Sequence, residues 1–292
     1  MVYGVIGKKR KRGDHEVISR ASKVSRWVIA CVLLVYTAST IFVLCATVLG
    51  SFKTKTDLVS NFTGFPKTFS LSSYRTILFK NNFGLYFLNS FLLTVLGTAG
   101  CIFLSAMAAY GIARYSFKGR SFLSGYFLIG LMVPIQVSVL PLFLLLRAMG
   151  LLNTLLGMIL IYASGISMSC LIFQKFFSAI PKEMEESAHI DGCSDFVIFY
   201  KIILPISKPI IFTMALISAI GVWNDFYMPM VLLGTKRTRT LTLAIFQYIR
   251  QFTKYMSESM AAVVITLIPI LVIYFLFSSQ IVEGLTSGAV KG

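Results

Sequence analysis

EESAHIDGCSDFVIFYKIILPISKP, residues Glu185–Pro209, opens with four of the chain's 11 acidic residues: Glu185, Glu186, Asp191 and Asp195. Just upstream, Pro181 suits the first turn of a helix, where its missing N–H has no intrahelical partner to lose. Glu183, Glu185 and Glu186 then fall near the positive end of that helix's dipole. Gly192 can take the left-handed backbone conformation that closes a helix at little steric cost. A second helix follows, with Ser194 or Asp195 as its cap and an apolar stripe of Phe196, Phe199, Ile202 and Ile203 at three- and four-residue spacing, ending at Leu204-Pro205. Small Ser187 and Ala188 leave the first helix thin enough to enter a groove. The stretch reads as a compact polar helix-turn-helix, and what lies on either side of it decides the fold.

Its neighbours are greasy. The 292-residue chain is 57% hydrophobic and 13% charged, with 25 Phe, a balance that would precipitate as a soluble globule. The apolar residues fall in long blocks: 27–49, 84–110, 122–146, 154–177, 209–233 and 261–280. Blocks of roughly 18 or more such residues are what a hydrocarbon layer of about 30 Å requires of a spanning helix. The fifth block is interrupted by WNDF, residues Trp223–Phe226, but as an aqueous segment it would expose IIFTMALISAIGV to water. Only helices and closed barrels satisfy every backbone group inside lipid. The expected fold class is therefore all-α, a polytopic membrane protein of six transmembrane helices with the hairpin between the fourth and the fifth.

The net charge of +16 does not point to nucleic acid, because its distribution follows the membrane. Lys and Arg number eight before the first span, three between Gly111 and Ser121, four between Lys175 and Lys208 and one at the end, against 11 on the other side. That bias places both termini and the hairpin in the cytoplasm. KKRKR at Lys8–Arg12 then serves as a retention charge at the inner face, and no cleaved signal peptide is expected, since the apolar core is too long and no small-residue cleavage site follows it. The domain plan is a basic N-terminus over 1–26, a first span over 27–49, an extracytoplasmic loop over 50–83, a five-helix core over 84–280 containing the hairpin at 180–208, and a tail over 281–292.

Several chemistries find no support. GVIGKKRKRG has neither the spacing nor the preceding strand of a phosphate-binding loop, so ATP hydrolysis by this chain is not expected. Neither G-x-S-x-G, H-E-x-x-H nor a carboxylate pair in a membrane cleft occurs, and the chain is not expected to be an enzyme. Cys31, Cys45, Cys101, Cys170 and Cys193 form no C-x-x-C pair and read as free thiols. With them scattered, His15 and His189 assemble no zinc site. NFT at Asn61 is formally a glycosylation acceptor, a match common by chance.

ESAHIDG followed by ILP and a proline four residues later resembles the EAA loop of binding-protein-dependent ABC import permeases. Glu186, Ala188 and Gly192 match the motif's E, A and G; Ser187 departs at the middle position but is small. In isolation such a pattern is a solvated helical turn. NSFLLTVLGT from Asn89, SAMAAYGIARYSFKGR from Ser105, MVPIQVSVLPLFLLLRAMGLLNT from Met132, WNDFYMP from Trp223 and EGLTSGAVKG at the end resemble, in this order, the maltose-type carbohydrate permease branch. The likeness covers nearly the whole chain after the first span.

The resemblance implies an ABC type I importer permease of the bacterial plasma membrane. It would form a translocation path for a sugar with a second, homologous permease, above two copies of a cytoplasmic ATPase and below an extracytoplasmic solute-binding protein. No cofactor is implied in this chain, ATP being bound by the partner ATPase. Glu186, Ser187, Ala188, Asp191, Gly192, Leu204 and Pro205 would then form the coupling loop, Glu186 giving charged contact, Ala188 close approach and Gly192 the turn. The terminal SGAVKG would touch the same ATPase, unless it is a frayed tail.

A second candidate is Trp223, Asn224, Asp225 and Tyr227, since a carboxylate at membrane depth is costly and usually faces a wet path or the bundle interior. Aromatic and polar neighbours suit a sugar's faces and hydroxyls. A structural reading competes: Asp225 bracing a helix break before Pro229, with Trp223 in an aromatic belt, and in the maltose-type branch the sugar site lies mainly on the other permease. Gly97, Gly100, Ser105, Ala106, Ala108, Ala109, Gly125 and Gly130 are packing residues, and Pro134 and Pro141 should bend the third span. Residues 235–260, with LTLAIFQYIRQF at helical spacing, are expected to form an outward re-entrant or surface helix that meets the binding protein, the resemblance implying that this loop reaches into that protein's site. The alternatives are an importer for another polyol-like solute such as a glycerol phosphate, a secondary transporter, which would need inverted repeats and coupling-ion carboxylates not evident here, and a non-transporting scaffold.

Overall fold

The computed structural model describes residues 3–287, with side chains described for 25–79 and 81–275. Lys8–Arg12 and the contacts expected of SGAVKG fall outside the described side chains. Among the described residues every regular element is helical. Helix α1 (Tyr3–Ser51) contains the first apolar span at Ser25–Ser51, and of its described side chains only those near its end are covered by the rest of the molecule, so Trp27, Leu34 and Phe42 lie exposed. A helix apolar all round and unpacked on protein is suited to lipid. The segment after it is not a plain loop. Helix α2 (Lys55–Ser60) is capped by Thr54, whose hydroxyl accepts from the Asp57 N–H, and a short α3 (Ser72–Arg75) follows. Fully buried Lys53 donates to the carbonyls of Asn61 at 2.6 Å and Phe62 at 3.1 Å, cinching the segment.

Helix α4 (Phe83–Arg114) is the axle of the bundle. Its buried face carries Leu93 and Cys101 together with Gly97, Ser105, Ala106 and Ala109, four of the small residues the sequence marks for close packing. At Gly100 an added Cβ would stand 2.7 Å from the Ala163 Cβ, and at Gly97 2.8 Å from the Tyr162 Cβ, so glycine sets the approach of the fourth span.

The third span is not one bent helix. Helix α5 (Arg120–Met132) and α6 (Ile135–Ala148) meet at 102°. Pro134 lacks an N–H and forces Val133 out of the helical region, to ψ 118°. Pro141, by contrast, lies inside α6 without ending it. The fourth span is α7 (Leu155–Ser164) joined to α8 (Ser167–Ser178) through a break at Gly165-Ile166. The Cys101 thiol reaches the Gly165 carbonyl at 3.4 Å, an α4 side chain at a backbone acceptor beside the break, and the Ser105 hydroxyl reaches the Ile166 carbonyl, also at 3.4 Å, which already accepts from the Cys170 N–H.

Between the fourth and fifth spans lies the hairpin: α9 (Glu183–Ile190), then α10 (Asp195–Ile198), a wide π-turn over Phe199–Ile203 and α11 (Leu204–Ile206). The second arm therefore does not stop at Leu204-Pro205. The preceding π-turn, in which the Leu204 N–H donates five residues back to Phe199, gives the chain room to pass the proline, which cannot make a helical bond and would clash with the turn before it. At Ser207 the axis turns by 78° into α12 (Lys208–Asn224). The fifth apolar block ends here rather than at Leu233: α12 breaks at Asp225, and α13 (Tyr227–Leu232) is separate. Helix α14 (Leu241–Arg250), capped by Thr240, occupies the region where the sequence predicts a surface helix, and it buries Leu241, Leu243, Ala244 and Ile245. The last helix, α15 (Met256–Ser287), starts its apolar span at Met256 rather than Ala261 and continues past 280, so the expected boundary between span and tail is not a break in the backbone.

Candidate functional site

The hairpin's turn is closed by a Schellman arrangement. The Cys193 N–H donates to the Ala188 carbonyl at 2.9 Å and the Gly192 N–H to the His189 carbonyl at 3.0 Å. Gly192 sits at φ +81°, where a side chain is strained, although nothing lies within 4 Å of an added Cβ. Glycine is required here by backbone conformation and not by crowding. At the other end, the N–H groups of Glu185 and Glu186 return to the Lys182 carbonyl, and three glutamates occupy the first turn as the dipole favours.

The two arms rest on protein. Ile198, Phe199, Ile203 and Ala188 join a core with Ala109, Tyr110 and Ala113 of α4 and Phe173 and Phe177 of α8. This corrects the expected stripe in one position: Phe196 is 62% exposed and Ile198 is buried in its place. The helix axis is fixed by what α4 and α8 leave open, and periodicity alone does not set that rotation. It also changes the reading of Ala188, which at 7% exposure uses its small size for packing inside the molecule and offers no surface for approach from outside.

Polar contacts lock this packing. Arg114, the last residue of α4, places its Nε 2.6 Å from the Glu185 Oε1, and its Nη2 donates to the Ile180 carbonyl at 3.0 Å. The two side chains are only 5% and 12% exposed, so each charge depends on the other. The next residue, Tyr115, donates its hydroxyl to the Asp195 Oδ2 at 2.7 Å, and the His189 Nε2 lies 3.3 Å from the Oδ1 of the same carboxylate. Burial, and then the hydrogen bond to Asp195 and that group's charge, push the Tyr115 phenol up to about 12, so it remains a donor at neutral pH. Both arms are thus tied to one end of α4. Neither Arg114 nor Tyr115 is among the sequence-predicted site residues, and Glu185 is named there only as a dipole partner. The only local signal is a basic and an aromatic residue ending a long apolar block.

What faces outward is the hairpin's tip. Glu186, Ser187, Asp191 and Gly192 are exposed, the Ser187 hydroxyl bonding back to the Glu183 carbonyl at 2.8 Å. Near them in sequence Ile190, which the sequence reading passes over, is 87% exposed, and Phe196 is exposed with its ring 5.2 Å from that of Tyr200. Pro205 is exposed and Leu204 half-buried, both on the second arm away from the turn.

The second candidate group makes most of its contacts within the protein. Trp223 is buried in a cluster with Phe83, Tyr86 and Leu241, meets Phe87 edge-on and directs its indole N–H at the Thr266 carbonyl, 3.4 Å away. Its burial in the bundle differs from the aromatic-belt expectation. The Asp225 Oδ1 accepts from the Tyr227 N–H at 2.9 Å and the Met228 N–H at 3.3 Å, while Oδ2 accepts from the Tyr162 hydroxyl at 3.0 Å. The carboxylate starts α13 and ties the break to the fourth span. Exposed Asn224 returns its amide to the Ile220 carbonyl, and Tyr227 is half-buried beside a core of Leu93, Met158 and Leu232.

Helices of membrane length, some broken at prolines and polar residues, with an acidic hairpin locked to one end, define a multi-pass membrane protein. The sequence pattern of the family described as binding-protein-dependent transport system inner membrane component matches residues 101–286, and the chain belongs to that family. Among its relatives is the probable ABC transporter permease protein YurM of Bacillus subtilis, 31% identical over 271 residues, covering 92% of this chain and 89% of the relative. Another is the probable starch degradation products transport system permease protein AmyC of Thermoanaerobacterium thermosulfurigenes, 32% identical over 82% of this chain and 88% of the relative. A crystal structure of a bacterial ABC transporter involved in import of the acidic polysaccharide alginate contains a chain of the same fold, with a TM-score of 0.79 at 21% identity, over 89% of this chain and 97% of that one.

Proposed function

We propose that this chain is one permease of an ABC importer for sugars or oligosaccharides, forming the path with a second, related permease and driven by two copies of a partner ATPase. Membership of the family and the names of relatives such as AmyC support the class of cargo. The charge bias supports placing the termini and the hairpin in the cytoplasm, residues 50–83 outside and the binding protein on that outer side. ATP belongs to the partner subunits. The observation that carries the reading is the hairpin itself, an exposed acidic and apolar tip on a body fastened to α4 through Arg114 and Glu185.

A partner can drive this chain only if its ATP-bound and free forms contact two states of the chain with different energies. The tip made by Glu186, Ser187, Asp191, Gly192, Ile190 and Phe196 is where that difference is felt. The clasp then makes hairpin and α4 move together. Leu204 and Pro205 shape the second arm, and Ala188 holds the first arm to its core. Asp225, with Trp223, Asn224 and Tyr227 around it, serves the helix break and contributes no sugar subsite.

Replacing Gly192 by valine tests the coupling role. At φ +81° a β-branched residue is strained by about 1–2 kcal/mol or more, which should displace the tip while the spans still insert. In the assembled transporter, ATP hydrolysis should continue or fall modestly while sugar uptake per ATP drops at least about tenfold. Uptake per ATP equal to that of the unsubstituted protein would refute the role.

A further inference from the structure

Helix α4 is about 48 Å long at 1.5 Å per residue, and the end opposite the hairpin opens on a cleft of about 490 Å³. That volume lies within the roughly 300–1,000 Å³ of small-molecule sites. Its walls come from Asn82 at the start of α4, Lys236 and Arg239 before α14, Gln247 and Tyr248 on α14, and Tyr86. The chemistry is one-sided: two cations, amides and phenols, with no carboxylate among the lining side chains. Among the described residues neither Lys236 nor Arg239 enters an ion pair. The carboxylate of Glu258 acts on Tyr248 from a distance, with burial the larger influence raising that phenol, and does not line the cleft.

The cationic wall is held in place before any ligand arrives. Arg239 donates through Nη1 to the Gln247 Oε1 at 2.8 Å and lies over the Tyr86 ring, 5.8 Å from its centroid. The backbone carrying it is pinned from α4: the Asn89 amide donates at 2.9 Å to the carbonyls of both Arg237 and Arg239, and the Ser90 hydroxyl accepts the Leu241 N–H at 2.9 Å. Asn89 and Ser90 are buried, so two polar side chains of a membrane helix are committed to fixing this segment. Positive charge fixed in advance in a concave site favours an anion, because little ordering remains to be done on binding.

We propose that this cleft receives an acidic saccharide, a sugar chain bearing carboxylates, with Arg239 and Lys236 facing a carboxylate, the amides meeting hydroxyls and the tyrosines meeting a pyranose face. The proposal rests on the sugar-importer reading and narrows its cargo. The concavity and the phenol and amide lining favour a saccharide over an acidic protein surface, which would meet a flatter face.

The assembled transporter, in nanodiscs of phosphatidylcholine alone to exclude anionic headgroups, is titrated calorimetrically with trigalacturonate and with neutral galactotriose, without the binding protein. Trigalacturonate should bind at least about tenfold more tightly, and the gap should close as salt is raised. Arg239→Gln should lower trigalacturonate affinity by about tenfold or more, with Arg239→Lys recovering part of it, and should lower galactotriose affinity by clearly less. Because Arg239 also braces Gln247, exposed Lys236→Gln serves as the second variant, with an expected loss of about threefold. Equal affinity for the two probes, absence of trigalacturonate binding, or unchanged affinity in both variants would overturn the proposal. So would loss of binding-protein recruitment in these variants with trigalacturonate binding intact, which would make the cleft a protein-docking surface. ATP-dependent uptake of a neutral sugar together with any of these results would sink the cleft assignment and leave the importer reading standing, whereas failure of all sugar uptake would fall on that reading.

Discussion

Cutting the Arg114–Glu185 pair from one side should loosen the hairpin far more than cutting it from both. The Nε–Oε1 separation is 2.6 Å with side-chain exposures of 5% and 12%, so the screening that makes surface pairs nearly worthless does not apply. Glu185→Leu leaves the guanidinium buried with the Ile180 carbonyl as its remaining acceptor. Arg114→Met leaves a carboxylate buried without its cation. Stranding one charge of a buried pair costs about 3–5 kcal/mol, while replacing both by apolar groups of similar volume is often near neutral. At 1.4 kcal/mol per factor of ten, each single variant should speed amide exchange in Glu185–Ile190 by roughly a hundredfold to several thousandfold, up to the limit of global unfolding. The double variant should restore most of the protection, giving a coupling energy of about 3 kcal/mol or more between the two sites. Hydrogen exchange read by mass spectrometry on the purified complex resolves the hairpin as its own peptides. If the effects of the two single variants simply add, or if neither exceeds a few-fold, the pair is not what fastens the hairpin to α4.

Two further outcomes follow from the same geometry. Ile190→Ser with Phe196→Ser should leave the unfolding temperature of the isolated permease complex unchanged or slightly raised, since both side chains are exposed, yet weaken retention of the ATPase on copurification by at least about tenfold. Asp225→Ala strands the Tyr162 hydroxyl and uncaps α13; it should lower stability by about 1–3 kcal/mol and reduce assembly, with sugar affinity of the assembled fraction unchanged in a binding assay.

The hairpin was legible because its signals are local. Glutamates in the first turn and an Asp-Gly exit act within one or two turns, and the structure places α9 and the positive φ of Gly192 where those residues put them, although Pro181 stands just before the Lys182 cap and not in the first turn. The clasp was not legible, because Arg114 and Glu185 stand 71 positions apart and nothing near either shows which charge it will meet. Phe196 and Ile198 make the same point at shorter range. Both are apolar and two residues apart, and the choice between them belongs to the groove left by α4 and α8.

By itself the sequence determined the class of molecule. Apolar blocks of spanning length, basic residues biased to one side and one polar interruption follow from the cost of placing charges and unpaired backbone in hydrocarbon, which acts on each segment separately. Only the tertiary structure decided how the spans break and what the polar residues do. The 102° turn at Pro134, the Gly165 carbonyl at the break answered from α4, and the use of Asp225 to start a helix all depend on which neighbour can fill a missing hydrogen bond or a gap. Such partners come from other helices, and a chain reveals them only once those helices pack.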